Sequence, residues 1–446
     1  MLPHSDEALR QRLNDELHAR PPVALSGATW ITHLVMLHQS PEGATGWPEV
    51  ADEASHLYRL AELAELANRP FVPTVDTYHW ILDAGDLRLK WERHNEFSSY
   101  TFFRRHVATD AATDVAEATA IEAFPAEWCA QIPGTLLVAT HLEYCEAASR
   151  DEESLLDAMS QSPYPYVVTE VADGAALVAS DFRIHDGFTR YLVLDRSLRH
   201  RQSGRTVQRL LEIETYRMMA LLALPVAKEV SAVLAPAERE TATLMAEMAE
   251  DRGNQSEREI LSGLTRLAAT VELSVTRTAF RFGAAEAYYA LVTQRVADLR
   301  GRPVRGFSSI RGFLDRRLAP AIQTCLSVAR RQNELSERIA RKSALLRTRV
   351  DVELEHQNQE LLAQMNRRSH MQLRLQETVE GLSVVAITYY ASSLVHHLAE
   401  GLEHVVHGVN PGLVAAASIP LIAITVALGI RRMRKTLAAA EQAPAN

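Results

Sequence analysis

From about residue 28 to 195 the apolar positions recur with a period of two, and beyond Arg199 they recur with the period of a helix. Alternating runs at 29–37, 77–82, 87–92, 100–103, 135–141, 166–171, 175–180 and 191–194 predict strands. Asp83-Ala84-Gly85-Asp86 and Asp173-Gly174 carry hairpin-turn chemistry, and residues 51–67 have a helical pattern between the first two strands. This part of the chain predicts an α+β, mixed α/β domain over residues 1–200.

After Arg199-His200-Arg201-Gln202-Ser203-Gly204-Arg205 the strand pattern stops, and residues 205–311 predict a helical region. One helix is expected from Thr206 to Glu250, kinked or broken at Pro225 or Pro236 because proline offers no N–H to the preceding turn. A second is expected from Ser256 to Leu299 and a third from Gly312. In the third, Leu335, Ile339, Leu346, Val350, Leu354, Leu361, Met365, Leu375 and Val379 keep steps of three, four or seven. Residues 312–381 predict a stalk helix, and the stretch between Pro320 and Gly381, which no proline or glycine interrupts, extends on the order of 90 Å. Its apolar stripe calls for neighbours in a bundle or homo-oligomer.

Gly412 to Ile430 holds no charged residue, which matches the length of a membrane crossing, and Arg431, Arg432, Arg434 and Lys435 follow at once. Residues 382–400 are also uncharged up to Glu400, with neutral histidines, but are richer in hydroxyls. The N-terminus has no apolar leader, so the body of the chain is expected in the cytoplasm. A single crossing at 412–430 then puts the basic tail outside, against the tendency of basic flanks to stay inside. Two crossings remove the conflict: a span at 382–400, an outer loop at 401–411, a span at 412–430 and a cytoplasmic tail at 431–446. The predicted location is a bacterial inner membrane, multi-pass, with the lipid bilayer as partner.

Composition sharpens this picture. An apolar fraction of 47% and a charged fraction of 23% are those of a folded protein, and a mean hydropathy of −0.12 means that most of the chain lies in water. A net charge of −9 argues against nucleic acid as a partner. Cys129, Cys145 and Cys325 are far apart and lack metal spacing.

Candidate chemistry lies first in the spans. Thr388, Ser392 and His396 are spaced by four, on one helical face, as pore lining or as interhelical hydrogen-bonding groups. His397, Glu400, His404 and His407 follow at steps of three, four and three, and Glu403 lies among them. Imidazole and carboxylate are competent ligands for a divalent cation, and such a stretch is equally a polar membrane–water boundary. No cofactor is expected otherwise. In the first half, alternation along Trp91-Glu92-Arg93-His94-Asn95-Glu96-Phe97 sends Glu92, His94 and Glu96 to one face and Arg93 and Asn95 to the other. The segment from Asn14 to Pro22 reads as a docking segment ending at prolines. Phosphate-loop, dinucleotide, zinc-protease and nucleophile-elbow motifs are absent.

The strings Leu13-Asn14-Asp15-Glu16-Leu17-His18-Ala19-Arg20-Pro21, Trp91 to Phe97, Ile132-Pro133-Gly134 and Gln376 to Tyr390 resemble a bacterial family of uncharacterized membrane-anchored proteins, a domain of unknown function, over nearly the whole chain. Asn95 stands where that family carries Thr. The resemblance implies anchoring and supplies no reaction. The order of domain, stalk helix, two spans and basic tail also resembles CorA-type divalent-cation channels, whose Gly-Met-Asn motif has Gly408-Val409-Asn410 as its nearest counterpart here. It makes Asn410 a further path residue.

Three functions follow as expectations. The first is a membrane-anchored protein without enzymatic activity that displays a cytoplasmic domain on an oligomeric stalk. The second is a CorA-like cation channel using Thr388, Ser392 and Asn410 with Glu400, Glu403 and the histidines. The third is a membrane-associated enzyme using Glu92, His94 and Glu96.

Overall fold

The computed structural model describes residues 7–18, 21–38, 50–63, 77–105, 119–249, 254–403 and 410–441. In chain order the elements are α1 (Glu7–His18), β1 (Thr29–Leu37), α2 (Val50–Leu63), β2 (His79–Ala84), β3 (Leu87–Arg93), β4 (Phe97–Arg105), α3 (Ala126–Cys129), β5 (Thr135–Glu146), α4 (Glu152–Gln161), β6 (Val167–Val171), β7 (Ala176–Ser180), β8 (Ile184–His185) and β9 (Phe188–Asp195). Then come α5 (His200–Leu221), α6 (Ala223–Ala249), α7 (Asn254–Asp298), β10 (Arg302–Pro303), α8 (Ile310–Glu403) and α9 (Pro411–Glu441). The fold is α+β, a mixed sheet followed by long helices.

The chain divides into two compact units, one of residues 1–251 and 260–343, the other of residues 252–259 and 344–446. The first contains a ten-stranded sheet in the order β10-β6-β7-β9-β5-β1-β4-β3-β2, with β8 paired to β9. All pairings are antiparallel except β5 with β9. Helices cover both faces, which is why central β1 is buried along nearly its whole length. On one face Leu34, Trp80, Leu89, Trp91, Tyr100 and Phe102 pack with Leu57 and Leu60 of α2 and Trp128 of α3. On the other Ile31, Phe103, Leu142, Val178 and Val193 pack with Val207 and Leu210 of α5, Val292 and Val296 of α7, and Leu314 and Leu318 of α8.

The strand pattern ends near residue 195, but the first unit does not. Arg302–Pro303 forms β10 on β6, and Pro303 is tolerated because an edge strand leaves N–H groups unpaired anyway. The expected helix over 206–250 is two helices, and the break falls at Leu222 rather than at a proline. Pro225 sits in the first turn of α6, where a missing N–H costs nothing, and Pro236 lies inside α6.

Within the second unit, Arg349 of α8 pairs with Glu257 of α7 at 2.8 Å. Farther along α8, Leu361, Met365, Leu375 and Val379 are exposed, as are Leu413, Leu421 and Ile424 of α9.

Candidate functional site

The apolar layer between the sheet and α5 has a polar gap. Period-two alternation places Leu89 and Trp91 of β3 in the core beneath α2, so Lys90 and Glu92 point to the α5 side. By the same rule β4 turns Ser99 and Thr101 to that side, and β1 turns His33 there, in phase with Ile31 and Val35. Gln208, Glu212 and Thr215 of α5 and Arg295 of α7 complete the wall of a cavity of about 350 Å³. Its apolar lining includes Phe97, Phe103, Val207 and Leu211. Where residues 21–28 cross α5, Gly204 is required: a Cβ there would stand 2.0 Å from the Val23 carbonyl oxygen.

Two ion pairs line the cavity. Lys90 Nζ lies 2.9 Å from Glu92 Oε1, with side chains only 5% and 13% exposed. Arg295 pairs with Glu212, and Gln208 Nε2 donates to Glu212 Oε1 at 2.8 Å. Gln208 Oε1 is buried and has no hydrogen-bond partner among the described residues.

His33 bridges sheet and helix. Its Nδ1 lies 2.9 Å from Thr101 Oγ1 and its Nε2 lies 3.0 Å from Thr215 Oγ1. Thr215 already donates its one hydroxyl proton to the Leu211 carbonyl at 2.9 Å. Donor counting therefore makes Nε2 the protonated nitrogen and leaves Nδ1 to accept from Thr101. Burial first, and the nearby Lys90 charge second, push the imidazole pKa down to about 3. The neighbouring Glu214 is buried and accepts from Thr189 at 3.1 Å, Tyr191 at 2.7 Å and Arg217 Nε at 2.7 Å. This ties α5 to β9.

Of the three acids and bases on the 92–96 face, Glu92 and His94 line the cavity. Glu96 is held by Arg281 and by the Tyr288 hydroxyl at 3.0 Å. His94 stacks on Phe97 with centroids 4.3 Å apart. Arg93 turns to the opposite face, as alternation requires, and bonds the buried Glu53 at 3.1 Å. His33, Lys90, Ser99, Thr101, Gln208, Glu212, Thr215 and Arg295 escape a reading of sequence. The available signal is the polar face of Arg88, Lys90 and Glu92 in a strand whose other face is apolar.

A family model described as "Protein of unknown function (DUF3422)" matches residues 5–437, which takes in both the cleft and the C-terminal helices. The chain belongs to this family. No curated protein and no solved structure matches it.

In this DUF3422 chain the C-terminal candidates fall on α8 and at the start of α9. Thr388 Oγ1 donates to the Val384 carbonyl at 2.7 Å and Ser392 Oγ to the Tyr389 carbonyl at 2.9 Å, so both hydroxyl protons are used within the helix. Glu400 gathers two imidazoles, His396 Nε2 at 3.5 Å and His397 Nδ1 at 3.1 Å. His396 Nδ1 lies 3.4 Å from the Pro411 carbonyl. Asn410 is the N-cap of α9: its Oδ1 accepts from Gly412 N at 3.1 Å, and its carbonyl accepts from Leu413 N at 3.1 Å. Glu403 closes α8 by its backbone; His404 and His407 lie outside the described residues. Among the described residues no group of three or more His, Cys, Asp or Glu side chains has the arrangement to hold a metal ion.

Three helical stretches among the described residues are long and apolar enough to cross a membrane by length and composition. They lie within residues 200–248, Ile310–Gly401 and Pro411–Arg432, whose most apolar 18-residue segments have mean hydropathies of 1.7, 1.2 and 2.4. In the first, 33% of that segment is buried within the protein; in the others 6% and 0%.

Proposed function

We propose that this protein is anchored in a bacterial inner membrane by a hairpin of two spans, 382–400 and 412–430, and carries its sheet domain on the cytoplasmic side on an oligomeric helical stalk. The observation that carries the proposal is the α9 stretch Pro411–Arg432, whose most apolar 18-residue segment has mean hydropathy 2.4 and holds no buried residue. A helix of this composition in water exposes a continuous apolar surface that a bilayer covers. The exposed stripe of Leu361, Met365, Leu375 and Val379 supports self-association of α8. No step of this proposal needs catalysis.

The test is fractionation of the full chain expressed in a bacterial host. The protein is expected in the membrane pellet, resistant to high salt and alkaline carbonate and released by detergent. Recovery of the full chain in the carbonate supernatant sinks the proposal.

A second proposal, a divalent-cation path in CorA-like order, draws on the two imidazoles at Glu400. The anchor is favoured because Asn410 is engaged in capping α9 and the Thr388 and Ser392 protons are used within α8. Proteoliposome flux of Mg²⁺, Co²⁺ or Zn²⁺ that falls on Glu400→Ala substitution would reverse that preference.

A further inference from the structure

The cavity between the sheet and α5 is lined wholly by residues of the first unit, and its chemistry has two poles. At one pole Lys90, 4% exposed, is paired with the Glu92 carboxylate at 2.9 Å and presents its ammonium at the cavity wall. At the other, Gln208 Oε1 is buried without a donor, beside Glu212. A buried acceptor left unsatisfied costs free energy that a bound donor recovers. The two lining cations, Lys90 and Arg295, are matched by two lining anions, Glu92 and Glu212. A ligand with net charge would leave a buried charge uncompensated; one carrying both signs keeps the balance. Phe97, Phe103, Val207 and Leu211 offer an apolar wall, and a volume of about 350 Å³ is that of a small-molecule site.

We propose that the cleft binds a free α-amino acid with an apolar side chain. Its carboxylate meets the Lys90 ammonium and the Ser99 hydroxyl. Its ammonium donates to Gln208 Oε1 and faces Glu212. Its side chain rests on the Phe97 and Phe103 wall. His33, held neutral between Thr101 and Thr215, keeps a third positive charge out of the carboxylate pole.

The test is titration calorimetry of the full chain in detergent with L-leucine and L-phenylalanine. The controls are 4-methylpentanoate, which is leucine without its amine, and isoamylamine, which is leucine without its carboxylate. Saturable binding of at least one amino acid is expected, with each control weaker by about tenfold or more. The charge-neutral pair Lys90→Met/Glu92→Gln and the single change Gln208→Leu are each expected to weaken binding about tenfold. Gln208 is half-buried, so that variant decides the matter if the double variant does not fold. No saturable heat from either amino acid overturns the proposal. So does a control that binds as tightly as leucine, or a folded Gln208→Leu variant that binds like the parent.

Discussion

His33 shows what a buried titratable group does to stability when it is held in one protonation state. Burial, with the Lys90 charge second, sets its folded pKa near 3 against an ordinary value of 6.5. As pH falls below 6.5 the unfolded chain takes up a proton that the folded chain refuses. Stability is therefore complete above that value and is lost progressively toward pH 3. Between pH 7 and pH 5 this one group removes about 1–2 kcal/mol. Burial likewise pushes His141 down to about 4, and it adds to the loss over the same range. Urea unfolding followed by tryptophan fluorescence reads the sheet unit, because all five tryptophans precede residue 129. The His33→Gln variant is expected to show a smaller difference in unfolding free energy between pH 7 and pH 5 than the parent. An unchanged difference means that the imidazole is not held neutral. Gly204 makes a steric counterpart. Because a Cβ there meets the Val23 carbonyl oxygen at 2.0 Å, Gly204→Ala forces the 21–28 segment off α5 and is expected to cost about 2–3 kcal/mol in the same unfolding assay.

At the scale of elements, what the sequence discloses depends on whether a pattern is local. β1 is predicted over its full extent because nine consecutive residues alternate or are apolar and both flanks break the pattern. β10 is two residues long, so it has no period to detect, and only its pairing with β6 defines it. The cleft was half legible. The 92–96 alternation correctly separates Glu92, His94 and Glu96 from Arg93, but His33, Gln208, Thr215 and Arg295 come from three distant elements whose meeting is a result of packing. The stripe on α8 is the opposite case, visible in the sequence and exposed among the described residues: Leu361 is 58% exposed and Leu375 is 68% exposed. If that stripe is an interface between copies, Leu361→Lys with Leu375→Lys lowers the oligomer mass measured by light scattering in detergent. Burial of each leucine contributes about 1.5–3 kcal/mol, so assembly is expected to weaken by about a hundredfold or more. Both side chains already face solvent in the single chain, so tryptophan-detected melting of the sheet unit is expected to stay the same. A fall in melting temperature without a fall in mass would assign the stripe to intrachain packing instead.

For the whole molecule, apolarity and burial have to be weighed together before a helix is assigned to a bilayer. The stretch 200–248 passes the test of length and composition, yet Ala223, Ala227, Val230 and Leu234 are buried inside the first unit, so its hydropathy is that of a protein core. The α9 stretch passes the same test with no buried residue in its most apolar 18-residue segment, which is the property expected of a surface that meets lipid. For the proposed anchor, direction is argued from charge. Arg367, Arg368 and Arg374 precede the proposed span at 382–400, and Arg431, Arg432, Arg434 and Lys435 follow the proposed span at 412–430, so a topology that keeps both groups inside has two crossings. The two topologies make opposite predictions for cysteines introduced singly at Asn410 and Thr436 and probed on intact cells with a membrane-impermeant maleimide. The hairpin labels Asn410→Cys from outside and protects Thr436→Cys; a single crossing by α9 protects Asn410→Cys and labels Thr436→Cys. In the parent chain Cys145 and Cys325 are buried and Cys129 is half-buried, so the unsubstituted protein sets the labelling background. Labelling at position 436 alone would place the basic tail outside and leave α9 as a lone anchor, removing any role for residues 382–400 as a span.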